Sequence, residues 1–414
     1  MSNKKILIHG MVFSPDGVST AYLYSDIALA FKNAGFDVVV LSTTPHFNIV
    51  PEQLEKQPMK WGIWGCYKKS IFHGIPVYHV PQKKFKSTLL RMLGFIYWHI
   101  VSFIIGLCIK NVDIILSPSP PLTIGRINNW LGRLKKCKVI YNVQEIYPDI
   151  LNMPETSIVT RYLKGMEKRV YNSSSAVTTI DQVFYDTIVN RFKDMSKLHI
   201  IPNFVDTGLY HSNVTTDGLD KNLFPENDRI KLLYAGNIGF AQDWEPLVLL
   251  AKKTKHLPID YFLIGMGVKK DWVIEQKMFL DLDNLHILDY QPRKLMPAIL
   301  AYSDLQYIFM TPEQEGMGFP SKVYTIMACG RPLLVCSGES TPIVNFLKPV
   351  GCAKLVTDHD LEHKTDEMAL WLSNITREQL KEMGAKGCAE IAKRYTKEIV
   401  TQQYIDLVNT VLDE

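Results

Sequence analysis

The residues best suited to chemistry lie in one run, Glu313-Gln-Glu-Gly-Met-Gly-Phe-Pro-Ser-Lys-Val-Tyr-Thr-Ile-Met-Ala-Cys-Gly-Arg-Pro, just after the apolar stretch Leu305–Phe309. Gly316 and Gly318 make a loop whose backbone can pass close to a ligand. Pro320 and Ser321 suit a helix start, the serine hydroxyl serving as a cap. Lys322 then falls in the first turn of that helix, where anions are preferred to cations. A cation there makes sense if it and the free N–H groups face a bound diphosphate. The alternative is a lysine in solvent.

Three further glycine turns follow strand-like runs. Gly17 lies in Phe13-Ser-Pro-Asp-Gly, ahead of a helical stretch, where it would let backbone approach a ligand beside free N–H groups. Gly236 and Gly239 flank Asn237 in Tyr234-Ala-Gly-Asn-Ile-Gly, and Gly265 and Gly267 flank Met266. None fits G-x-G-x-x-G or G-x-x-x-x-G-K-[ST], and each taken alone reads as a tight turn between strand and helix. Asp281-Leu-Asp283 stands in a polar loop and reads as solvated, leaving no metal-binding carboxylate pair.

These turns need strands to place them. Apolar, β-rich runs recur at Ile6–Phe13, Val38–Thr43, Val77–Val80, Ile114–Leu116, Val139–Val143, Ala176–Ile180 and His199–Ile201. They recur again at Ile230–Ala235, Tyr261–Ile264, Leu285–Leu288, Leu305–Phe309, Leu333–Cys336 and Ala353–Val356. Helical spacing lies between them, as in Thr20–Ala34, so the pattern is βαβ repetition with parallel sheets. A polar stretch, 213–222, reads as an exposed linker. The expectation is an α/β chain of two Rossmann-like domains, 1–205 and 206–395, with a helix at 396–414 returning to the first. Two such domains would place a ligand cleft between the carboxyl ends of their strands.

A chain of 414 residues, 47% hydrophobic and 21% charged, suits two cores and excludes a disordered protein. Residues 1–200 carry a net charge of +11 and residues 201–414 a net −7. This excludes a uniformly basic nucleic-acid binder and suggests that the halves meet different partners. Seven cysteines without a C-x-x-C pair point to a reducing compartment, and the N-terminus lacks the design of a signal peptide, so a cytoplasmic location is expected. Met92–Ile109 is mostly apolar, with only His99 ionisable, and has Lys83, Lys84, Lys86 and Arg91 before it and Lys110 after it. Its length reaches that of a membrane span. A span would cut the first sheet in two, which leaves a buried helix or a helix on a membrane surface. The flanking cations favour peripheral contact with an anionic membrane surface through 83–110.

Several motifs together resemble the large retaining glycosyltransferase family 4, of GT-B fold, in its bacterial surface-polysaccharide branch. They are Phe13-Ser-Pro-Asp-Gly, Gly35-Phe-Asp-Val-Val-Val-Leu-Ser-Thr-Thr-Pro-His-Phe, Val143-Gln-Glu-Ile-Tyr-Pro-Asp, Ile201-Pro-Asn-Phe-Val-Asp, Tyr234-Ala-Gly-Asn-Ile-Gly and Glu315-Gly-Met-Gly-Phe-Pro-Ser-Lys-Val-Tyr. The resemblance implies that a nucleotide sugar, a UDP-sugar favoured, binds the second domain and a polyprenyl-diphosphate-linked saccharide the first, at the inner face of the cell membrane. It implies Gly236, Asn237, Gly239, Gln242, Gly316, Gly318, Ser321, Lys322 and Thr325 around the donor, Glu315 beside its sugar hydroxyls, and Tyr290 at the base. On the acceptor side it implies Asp16, Gly17, His46, Glu145 and Asp149. No metal or other cofactor is expected.

The sequence departs from the pattern in three places. Asn237, Phe240 and Gln242 stand where many relatives carry Arg or Lys, so Arg293 or Lys294 becomes a candidate second cation. Thr325 replaces the usual ribose-gripping Glu, and Gln144 rather than His precedes Glu145. The mechanism implied is retaining transfer, with Lys322 and helix-terminal N–H groups stabilising the leaving diphosphate. A leaving phosphate oxygen can take the acceptor proton; Glu145 and Asp149 are the side-chain candidates, or else caps and ion-pair partners. Two other functions fit the same fold: a nucleotide-sugar epimerase or hydrolase, and a degenerate subunit that binds a partner enzyme.

Overall fold

A computed structural model describes residues 3–83, 86–151, 153–154, 156–315 and 319–414. Lys84, Gly316 and Gly318 fall outside the described residues. The chain forms two compact units, Met1–Asn203 with Glu398–Glu414, and Phe204–Lys397.

The first unit runs β1 (Lys5–His9), α1 (Ser19–Asn33), β2 (Asp37–Thr43), α2 (Pro51–Lys56), β3 (Lys60–Trp61), β4 (Lys68–Phe72) and β5 (Ile75–Val80). It continues with α3 (Thr88–Cys108), β6 (Ile114–Pro118), α4 (Leu122–Lys135), β7 (Lys138–Val143), α5 (Ile158–Ser173), β8 (Ala176–Thr179), α6 (Gln182–Ile188) and β9 (Leu198–Ile200). Its described strands form one sheet in the order β3-β4-β5-β2-β1-β6-β7-β8-β9. Parallel pairing sets Lys5 opposite Asp37 and Ile114 opposite Lys138, so the strand ends carrying Gly10, Thr44, Ser119 and Gln144 share one edge. Strand β1 stops at His9, short of the expected Phe13. Beyond it Phe13 leaves the sheet and packs edge-on against Phe72, their ring centroids 5.3 Å apart.

Strands β3 and β4 were not legible as apolar runs. Strand β4, Lys-Lys-Ser-Ile-Phe, pairs antiparallel with β5 near the edge, where lysines are tolerated. Helix α3 connects β5 to β6, and both strands belong to this one sheet. Its Trp98, Ser102, Ile105 and Gly106 are buried. The other side, through Leu89, Leu93, Ile96, Ile100 and Ile104, is 50–64% exposed and equally apolar.

The second unit runs β10 (Ile230–Ala235), α7 (Glu245–Lys253), β11 (Ile259–Ile264), α8 (Lys270–Phe279), β12 (Leu285–Leu288), α9 (Met296–Tyr302), β13 (Leu305–Phe309) and α10 (Lys322–Ala328). Then come β14 (Leu333–Cys336), α11 (Pro342–Val350), β15 (Ala353–Val356), α12 (Leu361–Asn374) and α13 (Arg377–Arg394). The sheet order is β12-β11-β10-β13-β14-β15, all parallel. Both faces are covered, which is why these strands read as unbroken apolar runs. The order reverses at β10, and the turns after β10, β11 and β13 gather at the carboxyl end of the sheet.

Helix α14 (Lys397–Asp413) lies almost wholly with the first unit. Tyr404 on α14 accepts from Asn142 Nδ2 at 2.9 Å. Asn142 also donates to Thr178 and accepts from Tyr24 and Gln144, so a fully buried amide locks α14 against β7 and β8.

Candidate functional site

The turns after β10 and β11 interlock through backbone. Gly236 N donates to Ile264 O at 2.9 Å, Ile238 N to Met266 O at 2.9 Å, and Lys269 N to Ile238 O at 3.0 Å. A Cβ on Gly265, whose φ is +149°, would lie 1.9 Å from Gly236 O, and one on Gly267 would lie 2.2 Å from Ile238 O. These two glycines serve the packing of one turn on another.

Gly236, at φ +156°, serves a different contact: its missing Cβ would stand 2.7 Å from Lys322 Nζ. Lys322 opens α10 and sends its ammonium back under the turn. There it lies 3.7 Å from the centroid of the Tyr234 ring and donates to Ala235 O at 3.3 Å. No carboxylate pairs with it among the described residues. Burial pushes the ammonium down from 10.5 to about 7. The same burial pushes the Tyr234 phenol up, so Tyr234 stays neutral and donates to Asn237 O at 3.0 Å. The lysine is therefore not the solvated residue that the sequence left open. It is a cation held by a π-face and one carbonyl, which is the state of a group awaiting an anion.

Other donor-side residues meet varied fates. Ser321 precedes α10 in helical conformation without a side-chain capping bond, so the expected cap does not form. Thr325 Oγ1 donates back to Lys322 O at 2.8 Å, which fixes the first turn of α10. Gly239 O accepts from the indole of Trp244 at 2.8 Å. Gln242 forms a bridge with Met310, and its buried Oε1 has no partner among the described residues. It lines a cavity of about 360 Å³ with Phe240, Trp272, Thr311, Glu313 and Gln314. Tyr290 is 61% exposed, and Arg293 and Lys294 are exposed on the turn before α9. Asp281 and Asp283 are exposed beside Lys255.

Glu315 lies against two residues that the sequence did not mark. Its carboxylate, 12% exposed, lies 3.9 Å from His359 Nε2, and a Cβ on Gly338 would stand 2.7 Å from its Oε2. Gly338 had a signal, a glycine just after a strand. His359, in a polar stretch after the last strand, had none.

On the first unit the structure reassigns several acceptor-side residues. Asp16 is buried, and its carboxylate accepts from the backbone N–H of His46, Phe47 and Asn48 at 3.0–3.1 Å. It pins one loop to another and has no open face. Gly17 is packed rather than bare: Asn48 and Val50 fill the space of its Cβ, and its N–H donates to Asn48 O at 2.8 Å. His46 Nδ1 lies 2.9 Å from Thr44 O and 3.2 Å from Thr43 Oγ1. Asp149 is an ion-pair partner, 2.5 Å from Arg191, which also holds the buried Glu167. Burial pushes Glu167 up to about 7 despite that arginine.

Glu145 differs from these. It follows β7, half-buried, with a side-chain hydrogen bond to Tyr147. Burial raises its carboxyl above the usual range and outweighs that bond. Gln144 before it is spent on structure, donating to Asn142 and accepting from Asn203.

Comparison with known proteins defines the class. The fold is GT-B, the fold of the solved glycosyltransferases it superposes on. Residues 21–209 match the model of Glycosyltransferase Family 4. The chain is 21% identical over 357 residues to a protein named as a colanic acid biosynthesis glycosyl transferase, WcaI of Escherichia coli (strain K12), covering 82% of this chain and 84% of that one. It is 20% identical over 309 residues to WbjE of Pseudomonas aeruginosa, named as a glycosyltransferase, covering 74% and 76%. Among solved structures, Anabaena Alr3699/HepE in complex with UDP superposes with a TM-score of 0.72 at 14% identity, covering 98% of this chain and 100% of that chain. Together these support glycosyltransferase activity.

Proposed function

We propose that the protein transfers a sugar from a nucleotide-diphosphate sugar to a polyprenyl-diphosphate-linked saccharide, with retention and without a metal, in bacterial surface-polysaccharide synthesis. The observation that carries this reading is Lys322, an enclosed ammonium beneath the Gly236 turn with no carboxylate beside it among the described residues. A donor diphosphate supplies the missing counter-charge. As the bond from the sugar to the diphosphate breaks, charge grows on the phosphate oxygen, and a fixed ammonium in a poorly solvated site stabilises that charge without reorganising. Glu315, with His359 3.9 Å away and Gly338 leaving room beside it, is the side chain assigned to the sugar hydroxyls. A UDP-sugar is favoured because the similar Anabaena protein is solved with UDP and with UDP-glucose. The names of the curated relatives support the polysaccharide branch.

The acceptor falls to the first unit. Glu145, raised by burial, takes a proton more readily at neutral pH than a solvated carboxylate and is the side chain assigned to the acceptor hydroxyl. The exposed stripe of α3 lies on the cytoplasmic face of the membrane, where the lipid-linked acceptor resides. Each aliphatic side chain it buries there contributes up to about 1.5–3 kcal/mol. The test supplies membranes bearing polyprenyl-diphosphate sugars with a panel of nucleotide sugars and follows the glycolipid product and its anomeric configuration. Transfer with retention from a UDP-sugar is expected. No turnover with any donor would sink the enzyme reading, and an inverted product would sink retention.

A further inference from the structure

A cavity of about 360 Å³ lies among α3, α4 and α5, and none of the donor-side or acceptor-side residues assigned above lines it. Its walls are Ile96 and Ile100 from α3, Ile127 and Trp130 from α4, and Tyr162 and Met166 from α5. Each pair is three or four residues apart, so three helix faces converge on one slot. In its lining, His99 is engaged at both ring nitrogens, by Phe95 O at 2.7 Å and Thr123 Oγ1 at 2.8 Å. The volume lies at the small end of the roughly 300–1,000 Å³ typical of ligand pockets, and the walls are apolar.

The charge around the slot has one sign. Helices α3, α4 and α5 hold eight Lys or Arg and a single acid, Glu167. Glu167 is fully buried and taken by Arg191 and Tyr171. Arg126 and Arg169 complete the lining. Arg126 lies over the Trp130 ring, 5.0 Å from its centroid, and neither arginine pairs with a carboxylate among the described residues. Ile96 and Ile100 belong to the slot and also to the exposed stripe of α3, at 50% and 56% exposure.

We infer that this slot takes one acyl chain of an anionic phospholipid, with Arg126 and Arg169 on its phosphate. The inference rests on the reading of α3 as a helix lying on the membrane. With α3 at the interface, the slot opens at the depth where phospholipid chains begin, and the two guanidinium groups meet the phosphate layer. Guanidinium matches phosphate in a bidentate fork, and three helices with no exposed acid offer nothing to a zwitterionic headgroup's cation. The bound chain would fix the protein's orientation on the bilayer, beyond what a flat apolar stripe provides.

The experiment floats the full-length protein with vesicles of equimolar phosphatidylglycerol and phosphatidylcholine. The recovered protein is then extracted into mild detergent, and retained lipid is identified by native mass spectrometry. The wild type is expected to float and to retain one phosphatidylglycerol per chain. Ile127→Trp, which fills the slot and leaves the stripe intact, should float and retain none. The surface pair Arg126→Glu with Arg169→Glu, which does not touch the core, should lower retention about tenfold or more. Failure of the wild type to float removes the membrane reading and this inference with it. Flotation without retained lipid, retention unchanged in both variants, equal retention of phosphatidylcholine, or displacement by an added polyprenyl phosphate each overturns the inference alone.

Discussion

Lys322 is a cation in a place that disfavours cations, and the consequences can be measured. Below about pH 7 the folded protein carries the buried charge, while the unfolded chain holds the same proton at no cost. Between about 7 and 10.5 only the unfolded chain keeps it, so stability rises with pH across that window. Lys322→Met is therefore expected to raise the melting temperature of the unliganded protein at pH 7, with the gain fading towards pH 10. The same variant should weaken UDP binding by about 10–100-fold, the loss of one strong charge-assisted contact. It should also lower kcat by about 10²–10³-fold. Because the diphosphate needs the ammonium form, wild-type affinity for UDP should fall by up to about tenfold per pH unit above 7. Titration calorimetry in buffers of different ionisation enthalpy should show proton uptake on binding; pH-independent affinity from 6 to 9 would remove Lys322 from the phosphate. Glu145→Gln should cost about 10²-fold in kcat with little change in UDP affinity. An unchanged kcat would give the acceptor proton to the leaving phosphate oxygen.

At the scale of elements, the site depends on turns that support one another. The Gly236 turn keeps its shape because Gly265 and Gly267 let the next turn press against it, backbone on backbone. Gly265→Ala would push a Cβ into Gly236 O and strain a left-handed φ at once. It should cost about 3 kcal/mol or more, read as a lower urea midpoint for the second unit. In the first unit, Asp16 ties the loop after β1 to the loop after β2 through three backbone N–H groups. Asp16→Ala leaves those donors unpaired and should cost about 2–3 kcal/mol, with Asp16→Asn recovering part of it. Loss of activity in either variant without loss of stability would give these residues a direct role at the ligand.

At the scale of the molecule, the charge asymmetry has a structural counterpart. The basic half contains α3, apolar on both its buried and its exposed side, together with the cations of α4 and α5. Replacing Lys83, Lys86 and Arg91 by Glu should release the protein from phosphatidylglycerol vesicles, and raising salt should weaken wild-type binding in the same direction. Binding that persists in the triple variant and in high salt would count against an electrostatic component. The acidic half gathers its binding charge locally, in one buried ammonium rather than in a net field.

Sequence by itself determined the two-sheet architecture, because strands covered on both faces must be continuous apolar runs, and all but two of the described strands declared themselves so. It marked Lys322 as electrostatically out of place and the 92–109 segment as too apolar for its surroundings. Strand β4 escaped because an edge strand does not need the apolar pattern. Which titratable groups stand open was also beyond its reach. Asp16, Asp149 and Glu145 look alike in sequence, yet tertiary contacts spend the first on backbone N–H groups and the second on Arg191, and leave the third half-buried. His359, Gly338, Tyr234 and the slot beside α3 arise where segments distant along the chain meet. Local pattern fixes which face of an element turns inward; burial, partner and pKa are set by the neighbours that only the packed fold brings within a few ångströms.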